Sequence, residues 1–258
     1  MKILAIDTSG LQAGAAIVSF TDSSSYIIGE IFLNARTGEK SWTHSEILMP
    51  GVEQLFHLTR LEPKDIDYVA YTCGPGSFTG LRIGAACALG IARALNKPAI
   101  PVPTLDALAY NALGAGGRCF IIPMLDARRG QVYTAIFCRE AEGLIKKATD
   151  CFPHANDLTE NDTEYMALPV EEVLQRLRKY SNSGRILFLG DGADVNIGVI
   201  LEAFPAALSP PANNNRQRAA SAAVWAAEKI SAGHKFSDTP EILYVRAPQA
   251  VREKEKTI

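Results

Sequence analysis

Histidine is scarce in this chain of 258 residues. The four present, His44, His57, His154 and His234, are dispersed, with no pair at i and i+4 on one helix, so no metal centre of that kind is legible. No Ser–His–Asp set can be proposed from spacing either. His44 opens a helical segment and reads as a capping or surface residue. The five cysteines (Cys73, Cys87, Cys119, Cys138 and Cys151) are odd in number, far apart and without a C-x-x-C pair. They read as reduced, buried thiols of a cytoplasmic protein. Charge of one sign is lacking as well: the net charge of −2 gives no broad basic field to draw in nucleic acid. The longest apolar stretch, Leu81 to Leu95, carries Arg82 and Arg93 and falls short of the ~18–20 residues of a membrane span. The opening "MKILAIDTSG" meets Asp7 too early for a signal peptide.

What is there fits an ordinary globular protein, 47% apolar and 21% charged, long enough for one large domain or two small ones. The chain begins strand, turn, strand ("ILAID", "TSGLQ", "AGAAIVSF"), then a third strand, "SYIIGEIFL". In "THSEILMPGVEQLFHLTRL" the residues Ile47, Leu48, Val52, Leu55 and Phe56 share a helical face, which Pro50 is expected to kink or split. A strand "DYVAYTC", a helix from Thr79 to Leu95, a strand "PAIPV" and a helix starting at Thr104 follow. After "GAGG" the opening layout returns: "CFIIPMLDARRGQVYTAIF" again places an aspartate between two strands, Asp126 matching Asp7 about 120 residues earlier. The second half continues with a helix from Val170 to Tyr180, a strand in "RILFLGDGAD", a helix from Val195 to Phe204, a loop "SPPANNNRQ" and an alanine-rich helix from Arg218 to Ala232. The charged tail "VREKEKTI" reads as frayed. Such a duplication predicts an α/β actin-like (ASKHA) ATPase fold with two lobes of βββαβα type. The predicted lobes are 1–105 and 106–258, the last helix packing back on the first lobe.

"GPGSFTGLR", Gly74 to Arg82, stands where a phosphate loop would, between strand and helix. It has no Walker lysine after Gly80, and Thr79 occupies the third glycine position of the dinucleotide pattern. It reads as a type II turn with Pro75 second and Gly76 third, followed by Ser77 or Thr79 as helix cap. Gly80, Gly84 and Ala88 then recur every four residues on one face. That face admits another backbone closely, either in the core or at a flat contact with another chain. Asp7 and Asp126 fit either a hydrated magnesium between lobes or the capping of their own turns. "GDGAD", Gly190 to Asp194, fits a nucleotide contact or a plain turn.

Several stretches in order, "ILAIDTS", "HSEILMPGVEQL", "DYVAYTCGPGSFTGLRIGAACALGIARAL", "PVPTLDALA", "DARRGQVY" and "ILYVRAPQA", resemble the TsaB (YeaZ) family. The resemblance implies an actin-like protein of tRNA modification. In that pathway a threonylcarbamoyl group moves from an adenylate onto the adenosine next to the anticodon. It implies a non-catalytic subunit that binds and activates a catalytic sibling, TsaD, with an ATPase, TsaE, docking on the pair. The sibling's H-x-x-x-H metal pair falls here on Thr104 and Leu108, so neither a metal nor transfer chemistry is expected. The implied partner interface is Gly80, Gly84 and Ala88 with Ile47, Val52 and Leu55. Gly74, Pro75, Gly76, Ser77, Thr79 and Arg82 would shape the docking helix. A vestigial nucleotide site would fall on Asp7, Thr8, Ser9 and Asp126, with no cofactor of the chain's own and ATP or ADP only at a site shared with partners. Self-pairing as a homodimer and tRNA contact only through the complex complete the expectation. The rival reading is an actin-like ATPase or kinase using Asp7 and Asp126.

Overall fold

The computed structural model describes residues 1–258 apart from 22–23, 35, 38–39, 115–116, 118, 140–144, 148–164, 181–183, 237–238, 240 and 247–258. Cys151 and the charged tail therefore lie outside the described residues. The chain divides into two compact units, Met1–Ala107 with Gln217–Ile258, and Leu108–Arg216.

The first unit is built on a five-stranded sheet of order β3-β2-β1-β6-β7: β1 (Lys2–Asp7), β2 (Gln12–Phe20), β3 (Ser25–Asn34), β6 (Tyr68–Gly74) and β7 (Ala99–Pro103). A two-residue ribbon, β4 (Arg36–Thr37) with β5 (Lys40–Ser41), lies between β3 and the first helix in sequence. β1 pairs antiparallel with β2 and parallel with β6, so it is buried on both faces and reads as a continuous apolar run. One face is covered by α1 (His44–Thr59) and α2 (Phe78–Leu95). α1 runs through Pro50 without a break; the carboxylate of Glu46 accepts from the N–H and hydroxyl of Thr43 at its start. The other face is covered by an alanine-rich helix late in the chain, Ala219–Ser231, which packs on β1 and β2. Its small side chains let it settle close to the sheet; a Cβ on Gly14 of β2 would meet Ala219 at 3.7 Å. Glu30 of β3 pins its start, pairing with Arg218 and accepting from the Ala220 N–H. Trp225 Nε1 donates to Asp106 Oδ1 at 3.3 Å from its middle. These contacts join the helix Ala219–Ser231 to the first unit, so the second unit ends at Arg216 rather than running on to 258.

α2 also corrects the membrane expectation on length. It starts earlier than the run counted from Leu81, and its 18 residues are long and apolar enough to cross a membrane by length and composition. Its inner face, Gly80, Leu81, Gly84, Ala85, Ala88 and Ala92, is buried.

The second unit repeats the plan. β8 (Cys119–Asp126) takes the place of β1. β9 (Gln131–Thr134) and β10 (Phe137–Arg139) run antiparallel to it in one register, Met124 opposite Thr134 and Ile121 opposite Phe137, and so stand for β2. β11 (Ile145–Lys147) and β12 (Met166–Pro169) pair on their far side, and β13 (Arg185–Leu189) lies parallel to β8 as β6 does to β1. A single bridge, Leu187 to Leu208, marks where β7 would be. After α3 (Thr104–Ala109) the helices are α4 (Val170–Leu177), α5 (Asp191–Val195) and α6 (Ile197–Ala203); the alanine-rich helix is α7. The helix expected over Val195–Phe204 is interrupted at Asn196. The core gathers Phe120, Ile122, Val173, Leu177, Phe188 and Phe204, with the rings of Phe120 and Tyr180 4.7 Å apart. Truncating any one buried aliphatic here costs on the order of 2–5 kcal/mol.

Cys73, Cys87 and Cys119 are free thiols, but Cys138 is disulfide-bonded to a partner outside the described residues. The expectation of five reduced thiols fails at Cys138, because spacing along the sequence does not show which cysteines the fold brings together.

Candidate functional site

The glycine loop holds the chain's own backbone. Ser77 donates its N–H to the Ser9 carbonyl at 2.7 Å, and Ser77 Oγ accepts from the Gly80 N–H at 3.2 Å, making Ser77 the cap of α2. Thr8 Oγ1 donates to the Gly80 carbonyl at 2.7 Å. A Cβ on Gly76 would lie 2.4 Å from Ser9 O, on Gly80 2.1 Å from Thr8 O, and on Gly84 2.2 Å from Thr8 Oγ1. The glycines therefore make room for the Asp7–Gly10 turn that joins β1 to β2. The expected type II turn is not formed: Gly76 sits at φ 159° rather than near about +80°, and the Gly74–Pro75 peptide is cis.

This overturns the expected interface. Gly80, Gly84 and Ala88 face inward onto the Thr8 turn, so of the two readings for that face the packing one holds. Val52 and Leu55 are core residues under α1, and Ile47 is half-buried. The outward face of α2 is different. Arg82, Ala86, Gly90, Arg93 and Ala94 are exposed, and a Cβ on Gly90 would meet nothing within 4 Å. On α1, which packs beside α2, the exposed residues include Glu46, Met49, Pro50, Glu53 and Leu58. The four-residue spacing of Ala86 and Gly90 was a signal of the same kind as Gly80–Gly84.

A second feature escaped the sequence reading. The β6–β7 pairing slips between Thr72 and Gly74, so that Cys73 has no register partner on β7. The Cys73 carbonyl accepts the N–H of Leu243 at 2.7 Å. Gly74, at φ 120°, is required there twice over, since a Cβ would also lie 2.3 Å from Leu243 O. The strap from Glu241 to Arg246 is further held by the Tyr71 hydroxyl, which takes the Glu241 N–H at 3.2 Å. It carries Tyr244 to the first turns of α2. There the Phe78 and Tyr244 ring centroids are 5.5 Å apart, Arg82 Nε donates to the Tyr244 hydroxyl at 3.1 Å, and Arg82 Cζ lies 3.8 Å from the Phe78 centroid. Thr79, one turn earlier, is exposed and caps nothing.

Asp7 closes its own turn. It is 3% exposed, and its Oδ1 accepts from the Ser9 N–H at 2.9 Å and the Ser9 hydroxyl at 2.7 Å. Burial pushes its pKa up; the Ser9 and Thr72 groups and His44 pull the other way. Thr72 lies close enough to favour the charged form, yet neither Asp7 Oδ2 nor Thr72 Oγ1 completes a hydrogen bond. His44 Nε2 lies 3.0 Å from the Gly10 carbonyl, tying α1 to the same turn. In the second unit Asp126 is more open. Its Oδ1 takes the Arg128 N–H at 2.8 Å and its Oδ2 lies 3.2 Å from the Arg128 guanidinium. The Asp126 N–H donates to Asp191 Oδ1 at 3.2 Å, and burial raises the Asp191 pKa. "GDGAD" makes a close turn: a Cβ on Gly190 would lie 2.2 Å from Met124 O, while Asn215 accepts from the Gly190 N–H and donates to Asp194. Thr104 and Leu108 are wholly buried and Leu108 has no donor atom, so the pair does not fit the metal of an H-x-x-x-H centre. Nor does the glycine loop fit a phosphate, because the Ser77 amide is taken by Ser9.

Comparison with known proteins now bears on this geometry. The family model described as "TsaD: tRNA N6-adenosine threonylcarbamoyltransferase" matches residues 38–248. The chain is 36% identical over 147 residues to the tRNA threonylcarbamoyladenosine biosynthesis protein TsaB of Bacillus subtilis, covering 57% of this chain and 59% of the relative. To the TsaB of Escherichia coli it is 33% identical over 144 residues, 56% of this chain and 58% of the relative. The matched part thus spans somewhat over half the length of these curated relatives. A solved structure titled YeaZ from Pseudomonas aeruginosa superimposes with a TM-score of 0.68 at 21% identity, over 94% of this chain and 99% of that one. It shares the fold. With the family model covering well over half of its length, the chain, similar to TsaB over part of its length and built on the actin-like α/β fold of the YeaZ structure, belongs to the family described as TsaD: tRNA N6-adenosine threonylcarbamoyltransferase.

Proposed function

We propose that this chain is a non-catalytic activating subunit in the synthesis of threonylcarbamoyladenosine in tRNA, acting in the cytoplasm through a TsaD-type catalytic partner and a TsaE-type ATPase. The observation that carries the reading is the Ser9 carbonyl seated in the glycine loop: the place of a phosphate is filled by the protein itself. Thr104 and Leu108 support it, having no metal-binding pair to offer. What the first unit offers instead is an outward helical surface. Ala86 and Gly90 leave α2 flat enough for a second helix to lie against it. Glu46 and Glu53 on α1 and Arg82 and Arg93 on α2 put opposite charges on neighbouring helices. A surface with both signs can also meet its own copy about a two-fold axis, which accounts for a homodimer when the partner is absent. tRNA is then engaged only through the complex.

Pairing with the TsaD-type protein of the same organism tests this. Gly90→Trp is expected to abolish co-elution in gel filtration while leaving the melting temperature within a few degrees. Co-elution at full strength would refute the proposed surface. Threonylcarbamoyl transfer by this chain alone, or ATP turnover by it, would refute the non-catalytic role.

A further inference from the structure

We infer that Arg82 is the anion-reading anchor of this surface, held in place by Phe78 and Tyr244, and that it takes a carboxylate of a partner protein. This rests on the docking reading above and adds the chemistry of the contact. The guanidinium is fixed from two sides, by the Phe78 ring under Cζ at 3.8 Å and by the Tyr244 hydroxyl on Nε at 3.1 Å. Both rings are themselves 40% exposed, so the arrangement sits on the surface. Arg82 forms no ion pair among the described residues, and its two terminal nitrogens are left pointing away from Nε as a fork. A guanidinium whose plane is already set binds a carboxylate through two parallel hydrogen bonds with little further ordering. Exposed Phe, Tyr and Arg together are also the side chains that anchor protein interfaces.

The choice of a protein carboxylate over nucleic acid comes from charge spacing. α2 contains no aspartate or glutamate, and its exposed cations are Arg82 and Arg93, one near each end. They stand about 16 Å apart along the axis, with Ala86 and Gly90 between them. A phosphate backbone calls for a stripe of cations, whereas two separated guanidiniums match two acidic side chains flanking an apolar helix. The strap acquires a role in the same step. Tyr244 is a positioning residue, brought to Arg82 by the Leu243–Cys73 bond.

The test measures affinity of the full chain for the TsaD-type protein of the same organism at low and high salt, with melting curves for every variant. Arg82→Met is expected to weaken binding about 10- to 100-fold at low salt and to flatten its salt dependence. Arg82→Lys should recover little of that, because an ammonium cannot reproduce the fork. Tyr244→Phe, which keeps the ring and removes the hydroxyl, should weaken binding about 3- to 10-fold. Parental affinity and salt dependence in Arg82→Met, with Gly90→Trp still disruptive, would overturn the role of Arg82 and leave the docking surface standing. Parental affinity in both variants would overturn the surface and this inference together. Unchanged protein affinity in Arg82→Met with loss of tRNA retention by the complex on filters would overturn the carboxylate assignment in favour of a phosphate.

Discussion

The two units share one plan and use it differently. Each begins with a central strand ending in an aspartate, turns back into an antiparallel strand, and later adds a parallel strand that leads into a helix through a glycine, Gly74 at the end of β6 and Gly190 just after β13. In the first unit the helix after that glycine is a single rod of 18 residues; in the second it is broken into pieces of 5 and 7. The aspartates diverge in the same sense. Asp7 is shut inside its turn, whereas Asp126 keeps an Arg128 partner at the surface. Yet the glycines make the same move in both: Gly76 and Gly80 clear the carbonyls of Ser9 and Thr8, and Gly190 clears that of Met124. The shared part is the docking of a turn against the strand beside it. The divergent part is how long and how exposed a helix is mounted on it.

The strongest way to break this comparison is on α2. Gly84→Leu is expected to cost more than about 4 kcal/mol and give insoluble or unfolded protein, since its side chain would enter Thr8. Gly90→Ala, six residues on, should raise stability by about 0.5–1 kcal/mol. Thermal melts of the two decide which face of the helix is inside; equal effects would mean that the inner face is misassigned.

A medium effect separates the aspartates. With its folded pKa raised above the unfolded value of 3.8, Asp7 stabilises fully below that value, and the contribution falls as pH rises through the folded pKa. Asp7→Asn keeps an oxygen for Ser9 and adds a donor for Thr72. It is expected to raise stability at pH 7 by about 1–2 kcal/mol and to flatten its decline above pH 4. Asp126→Asn, which loses a partly exposed pair with Arg128, should change stability by less than about 1 kcal/mol. Urea titrations between pH 4 and 8 report both.

Thiol chemistry gives the smallest effect. Denatured without reductant, the protein should show three reactive thiols, those of Cys73, Cys87 and Cys119, and five after reduction. In the native state burial pushes the Cys73 thiol up to about 12, so alkylation at pH 8 should leave it unmodified. Five thiols before reduction would remove the disulfide.

Much of the fold could be read from residues because strand period and turn chemistry are local. The hairpin at Asp7, its repeat at Asp126 and the cap at Ser77 all announce themselves within ten residues. The orientation of α2 does not. Small residues recur every four positions on two of its faces, and the face that goes inward is chosen by Thr8, some 72 residues earlier in the chain. The return of α7 was foreseeable only as an alternative, because the ion pair that fixes it joins Arg218 to Glu30 across 188 residues. Tyr244 stood in plain view in "ILYVR", but nothing nearby tells that its neighbour fills a slip in a strand far upstream.

That slip carries a consequence for synthesis. All five strands of the first sheet precede Leu243 in the sequence, so the Leu243–Cys73 bond can form only after every one of them has been made. Arg82 likewise meets the Tyr244 hydroxyl only once a residue 162 positions further along has been made.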